Sequence, residues 1–156
     1  MTNYTIIKAE LNHLSNCKVA LLNSRLGEEY FPSEKKAHDL LKEGINDGEI
    51  YVAIGQDDRC LGFIKIVWEG MFKVFPMVHI IAVQEKYRNK GIGKGLFSFF
   101  EKLAFPPYSK AFLTVADFNP DAMRLYERLG YQKVGEIPGL YKAGVTEYLM
   151  MKKPNE

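Results

Sequence analysis

The sequence holds only two cysteines, Cys17 and Cys60, and three histidines. Two cysteines this far apart give no metal-ligand spacing and no disulfide framework, so a reducing, cytoplasmic setting is the expectation. Charge of one sign is also scarce. The 21 basic and 19 acidic side chains leave a net charge of +2, which argues against a dedicated nucleic-acid binder. No apolar run approaches the ~20 residues a membrane span needs. The N-terminus, Met-Thr-Asn-Tyr-Thr, lacks a basic segment followed by an apolar one, so no secretory leader is expected. Internal repeats, linkers and low-complexity tracts are absent.

What is present is ordinary globular composition, 47% hydrophobic and 26% charged. At 156 residues the expectation is a single domain over 1–153, with 154–156 frayed. Tyr4–Lys8 reads as a strand and Leu11–Arg25 as a helix, with Leu14, Cys17 and Leu21 on one face. Gly27 and Pro32 break the pattern from Leu26 to Pro32. Ser33 then caps a helix over Glu34–Asn46. Strands at Glu49–Gly55 and Cys60–Trp68 flank a turn at Gln56–Arg59, and Glu69–Gly70 reads as the next turn. A strand from about Val74 to Val83 follows, then a helix over Ile92–Phe105, stopped by Pro106–Pro107. Lys110–Ala116 is a strand. Asn119 and Pro120 suit the cap and first position of a helix that ends at Gly130. Tyr131–Ile137 and Glu147–Lys152 close the chain, with an irregular loop between them. The order is βααβββαβαββ, an α/β (α+β) chain with a mixed central sheet. Strands 2, 3 and 4 should be antiparallel, and strands 4 and 5, joined through a helix, parallel.

The stretch with chemistry in it is Val83 to Leu96, VQEKYRNKGIGKGL. An apolar strand leads in and a helix leads out. The first amides of a helix lack intrahelical partners and favour an anion on the axis. Gly91, Gly93 and Gly95 allow close approach, and Arg88, Lys90 and Lys94 add positive charge. Two familiar phosphate motifs do not fit. A P-loop needs Ser or Thr after its Gly-Lys, and here Gly95 follows Lys94. The dinucleotide fingerprint needs a glycine where Leu96 stands.

The pattern Arg-x-x-Gly-x-Gly over Arg88–Gly93, after a strand ending in Val, resembles the acetyl-CoA pyrophosphate loop of the GNAT superfamily of N-acetyltransferases. A second stretch, Asn119-Pro120-Asp121-Ala122-Met123-Arg124-Leu125-Tyr126-Glu127-Arg128-Leu129-Gly130-Tyr131, is similar to the family's N-x-x-A-x-x-L-Y-x-x-L-G-F/Y. The two motifs stand in family order on the expected elements, and the element order matches over essentially the whole chain.

The resemblance implies acetyl transfer from acetyl-CoA to a primary amine of a small molecule or peptide. It implies helices on both faces of the sheet and strands 4 and 5 splayed at a bulge. The amides of Asn89, Lys90, Gly91, Ile92, Gly93 and Lys94 would hold the pyrophosphate of coenzyme A, with Arg88 at the family's Arg/Gln position. Backbone groups of Ile81, Ala82 and Val83 would pair with the pantetheine arm, which Asn119 would also reach. Tyr126 matches the tyrosine that protonates the departing thiolate. His79, on the same strand face as Ile81 and Val83, is the candidate base. Glu28, Glu29, Tyr30 and Tyr141 are candidate acceptor contacts, and Glu147 lies near the closing strands. Each has a plainer reading: Asn119 as a helix cap only, Tyr126 as core, the lysines as solvated charge. A different class also fits, a coenzyme A-binding sensor or partner-binding module without transfer activity. No metal, nucleic acid or membrane partner is expected, and a homodimer is compatible with the family.

Overall fold

The computed structural model describes residues 3–155. Met1 and Thr2, part of the N-terminal expectation, and Glu156, part of the frayed end, lie outside the described residues. Among the described residues, seven strands form one sheet in the order β1-β2-β3-β4-β5-β7-β6, with helices flanking it. Among the described residues, no helix is long and apolar enough to cross a membrane. The chain divides into two compact units, Met1–Ile66 with Ile80–Phe100, and Val67–His79 with Glu101–Glu156.

The first unit begins with β1 (Thr5–Lys8), a short 3-10 turn, then α1 (Leu14–Leu22), α2 (Arg25–Tyr30) and α3 (Glu34–Asn46). β2 (Ile50–Ile54) pairs antiparallel with β1 and with the start of β3 (Cys60–Met71). The Ser33 hydroxyl caps α3 by accepting from the Lys36 amide, as its sequence signature predicts. Cys17, Leu21, Ala37, Leu41, Val52, Cys60 and Phe63 build the core here. Both cysteines are therefore packing residues, free and buried.

Two sequence expectations are corrected. The break at 26–32 is in fact helix α2, so the order is βαααβββαβαββ. The Ser24 hydroxyl accepts from the Gly27 amide and starts this helix. Gly27 acts as a packing glycine rather than a breaker: a Cβ there would lie 1.9 Å from the Leu21 carbonyl oxygen. Gly27→Ala should cost about 3 kcal/mol, because backbone cannot yield as a side-chain tip does. The shift of the urea midpoint measures it. The second correction concerns Glu69–Gly70, which stays inside β3. The turn falls at Phe72 and Lys73, with φ of 58° and 59°, closed by the Val74 amide on the Met71 carbonyl at 3.1 Å. Two left-handed central residues match the twist of a two-residue hairpin.

β4 (Phe75–Val83) leaves that turn with buried and half-buried residues alternating along its whole length. Its parallel ladder with β5 (Ala111–Ala116) holds the pairs Met77↔Phe112 and Val78↔Leu113 and ends there, although both strands run on.

The second unit adds α5 (Pro120–Arg128), β6 (Gln132–Pro138) and β7 (Thr146–Lys152). β7 lies between β5 and β6, antiparallel to both. Lys152 Nζ donates to Glu101 Oε1 at 2.6 Å and to the Leu129 carbonyl at 2.8 Å, and the Tyr131 hydroxyl donates to Glu101 Oε2 at 3.2 Å. This network ties the C-terminal end of α5 to β7, a favourable place for a cation.

Candidate functional site

The anion loop starts where β4 ends. The Gln84 amide donates to the Leu61 carbonyl at 2.9 Å, and its side-chain Nε2 to the Cys60 carbonyl at 2.5 Å. A 3-10 turn over Glu85–Tyr87 follows. Asn89 (φ 62°) and Gly91 (φ 81°) are left-handed, so the chain coils into α4 (Ile92–Ala104). The first helical bond near this end runs from the Gly95 amide to the Gly91 carbonyl at 2.9 Å. Successive amides in a left-handed turn ahead of a helix make an anion-binding concavity.

The three glycines separate by role. A Cβ at Gly91 or Gly93 would meet nothing within 4 Å, whereas one at Gly95 would lie 1.7 Å from the Tyr4 hydroxyl. Gly95 therefore makes room for Tyr4, and the open space is at Gly91 and Gly93. The helix is held from below by Ile92, Leu96 and Phe100, all essentially buried, so Ile92 can serve a ligand only through its backbone. Ala82 is likewise a core residue.

The basic side chains have defined partners. Lys86 and Lys90 sit over the Tyr87 ring, 5.2 and 5.9 Å from its centroid. Arg59 bonds the Tyr87 hydroxyl and lowers its pKa. Arg88 Nε donates to the Val83 carbonyl at 3.1 Å and Nη2 to the Asn23 carbonyl at 2.9 Å. Lys94 is exposed. Glu28, Glu29 and Tyr30 stand on α2, with Glu28 exposed and Tyr30 packed against the core. This unit thus brings together the loop, Ile81–Val83 and α2.

The second unit holds the remaining candidates. His79 is half-buried on β4. Asn119 caps α5, its Oδ1 accepting from the Ala122 amide at 3.4 Å. The Tyr126 residue is half-buried, yet its hydroxyl lies in the desolvated part, which pushes its pKa up to about 12. Its carbonyl accepts from the Tyr131 amide at 3.0 Å. Burial and the neighbouring Glu101 carboxylate push the Tyr131 hydroxyl up as well. Tyr141 is raised by burial while bonding Thr114 and facing the Glu147 charge; Glu147 itself is 2% exposed.

Sequence reasoning missed the Glu101–Tyr131–Lys152 network. Its one local signal was the closing tyrosine of the second motif; Glu101 and Lys152 are 51 residues apart.

The desolvated hydroxyls of Tyr126 and Tyr131 have a consequence for stability. Their folded pKa values lie above the unfolded value of ~10, so the folded state holds its protons more tightly. Their contribution is complete below pH 10 and falls as pH rises above it, that of Tyr126 being lost as pH approaches about 12. Urea midpoints at pH 9, 10 and 11 should fall progressively, and less steeply in a Tyr126→Phe protein.

The mixed sheet with an anion-binding loop ahead of a helix has counterparts among known proteins. The sequence model of the Acetyltransferase (GNAT) family matches residues 19–131, and the chain belongs to that family. Three curated relatives are named N-alpha-acetyltransferases. The one from Saccharolobus solfataricus is 38% identical over 113 residues, 65% of this chain and 67% of that protein. The matches span from 31% to 67% of the length of the first curated relatives. Among solved structures, Ard1 from Thermoplasma volcanium superposes with a TM-score of 0.78 at 21% identity, covering 98% of this chain and 99% of that one. An aminoglycoside 6'-N-acetyltransferase complexed with coenzyme A gives 0.75 at 22%, covering 97% and 99%.

Proposed function

We propose that the chain is an acetyl-CoA-dependent N-acetyltransferase acting on a primary amine of a small molecule or peptide, in a cytoplasmic setting. The observation that carries this reading is the left-handed turn at Asn89 and Gly91 feeding the N-terminus of α4, with open space at Gly91 and Gly93. That concavity suits a pyrophosphate, and membership in the GNAT family supports coenzyme A as its source.

In this reading coenzyme A supplies the thioester. The amides of Asn89 to Lys94 hold its pyrophosphate, and backbone groups of Ile81, Ala82 and Val83, beyond the last ladder pair at Val78, hydrogen-bond the arm. Asn119 reaches the arm from the α5 cap. Tyr126 donates its proton toward the leaving sulfur, and His79 takes the proton from the incoming amine. Glu28, Glu29, Tyr30 and Tyr141 contact the acceptor.

The acceptor amine must be neutral to attack. At pH 7 an unperturbed lysine amine costs about 4.6 kcal/mol to deprotonate, and an α-amine only about 1 kcal/mol. That difference, with three relatives named N-alpha-acetyltransferases, favours a peptide α-amine, for which a weak base such as His79 suffices. A screen of peptides, amino acids, polyamines and aminoglycosides with acetyl-CoA, reading released thiol, tests the proposal. Turnover with peptide α-amines supports it. Binding of acetyl-CoA with no turnover on any amine would turn the reading to a coenzyme A-binding sensor.

A further inference from the structure

Arg88 occupies a position that the first motif assigns to the pyrophosphate, yet its guanidinium faces two carbonyls of the chain itself. Nε donates to Val83 O at 3.1 Å, the last carbonyl of β4, and Nη2 donates to Asn23 O at 2.9 Å. Asn23 is the C-cap of α1, and the next residue, Ser24, is the N-cap of α2. One side chain therefore bridges the start of the anion loop and the corner between α1 and α2.

That corner is built tightly. The Ser24 hydroxyl donates to the Leu21 carbonyl at 2.6 Å and accepts from the Gly27 amide at 3.0 Å. Gly27 lies against the Leu21 carbonyl with no room for a Cβ. Beyond it, α2 has six residues and Gly27 is its one buried residue. A helix this short has little stability of its own, so its placement depends on the packing of Leu26 and Tyr30 against the core and on ties at its ends. At the far end Phe31 is in the core and Lys36 Nζ donates to the Tyr30 carbonyl at 3.3 Å. At the near end the tie to the loop is Arg88.

We propose that Arg88 is a positioning residue that sets helix α2, and with it Glu28, Glu29 and Tyr30, through the Asn23 carbonyl, so that the anion loop and the acceptor side are mechanically one piece. This rests on the acetyltransferase reading for the meaning of "acceptor side", but the strut itself does not. Arg suits the task because its planar fork spans two acceptors at fixed angles, which a lysine ammonium on a flexible stem does not reproduce.

The test separates a strut from a phosphate ligand. Amide hydrogen exchange on the unliganded protein is compared for wild type, Arg88→Gln and Arg88→Lys. Both variants should speed exchange across 24–30 about fivefold, the size expected for loss of a partly exposed charge-assisted bond, with 34–46 unchanged as the folding control. Acetyl-CoA affinity by calorimetry should stay within about threefold, while the acceptor KM rises about tenfold more than kcat changes. Unchanged exchange across 24–30 in Arg88→Gln overturns the proposal. So does a tenfold or greater loss of acetyl-CoA affinity in Arg88→Gln that Arg88→Lys restores, since a point charge on a phosphate would behave that way. Exchange is read without ligand, so a failure of the acetyltransferase reading appears separately, as wild type that binds no acetyl-CoA.

Discussion

Replacing Tyr126 with phenylalanine is expected to lower kcat about a hundredfold, the low end for a positioned proton donor, and to leave acetyl-CoA affinity within about twofold. The hydroxyl is pushed up to about 12 by burial, so it stays protonated throughout the neutral range and is always ready to donate. The same shift limits what it does. A coenzyme A thiol resembles a cysteine, with a pKa of about 8.5, so complete proton transfer from a phenol near 12 is uphill by roughly 5 kcal/mol. On the proposed reading Tyr126 would therefore act chiefly as a fixed hydrogen-bond donor to charge developing on sulfur, in a desolvated place where such a bond is strongest. Two consequences can be measured. The pH–rate profile of wild type should show no limb from Tyr126 below pH 10, and the phenylalanine variant should lower the profile without changing its shape in that range. An unchanged kcat, with acetyl transfer shown by pre-steady-state kinetics to limit turnover, would remove the role.

The second large effect is at Gly93. A Cβ there meets no atom within 4 Å, and the residue lies in the first turn of α4. Gly93→Val should therefore leave stability unchanged or slightly raised, since any ordinary residue is a better helix former than glycine by a few tenths of a kcal/mol. Yet the vacant space is where a phosphate would approach the helix amides. Filling it should weaken acetyl-CoA binding about a hundredfold, equivalent to about 2.7 kcal/mol. That is the loss of one or two charge-assisted bonds to backbone N–H groups. A melting curve and a binding isotherm on the same preparation separate the two effects. A variant that melts early and binds normally would mean that Gly93 serves packing, as Gly95 does for Tyr4.

How much of this was legible in the sequence follows from how local each cause is. Helix α3 was readable because Ser33, Ala37, Leu41 and Ile45 carry its cap and its buried face within one segment. Helix α5 was readable from Asn119 and Pro120 for the same reason. The anion loop was readable because strand end, turn and helix start are contiguous. Helix α2 was not, because Gly27 is required by a contact with Leu21 across the corner, and a glycine needed for packing looks the same in sequence as one that ends a helix. The β3–β4 turn was misplaced because Phe72 and Lys73, residues with no turn preference, take the left-handed conformations, while Glu69–Gly70 carries a turn-like glycine inside the strand.

Within the site, chemical identity was legible and partnership was not. Arg88 was singled out by its motif, but one of its two carbonyl partners lies 65 residues away. Lys152 and Glu101 had no motif at all. Pairings at that separation are set by the sheet order, which places β7 between β5 and β6 against the order of the chain, and no local pattern encodes it.

In the proposed function the Asn89–Lys94 turn is a coenzyme A pyrophosphate cradle. Calorimetric titration of acetyl-CoA and of ATP into wild type and Gly93→Val tests it most directly. The expected result is one acetyl-CoA per chain for wild type, no saturable ATP binding, and affinity for acetyl-CoA reduced about a hundredfold in a variant that melts no lower than wild type. Equal acetyl-CoA affinity in the two proteins, or no binding to wild type, would contradict it.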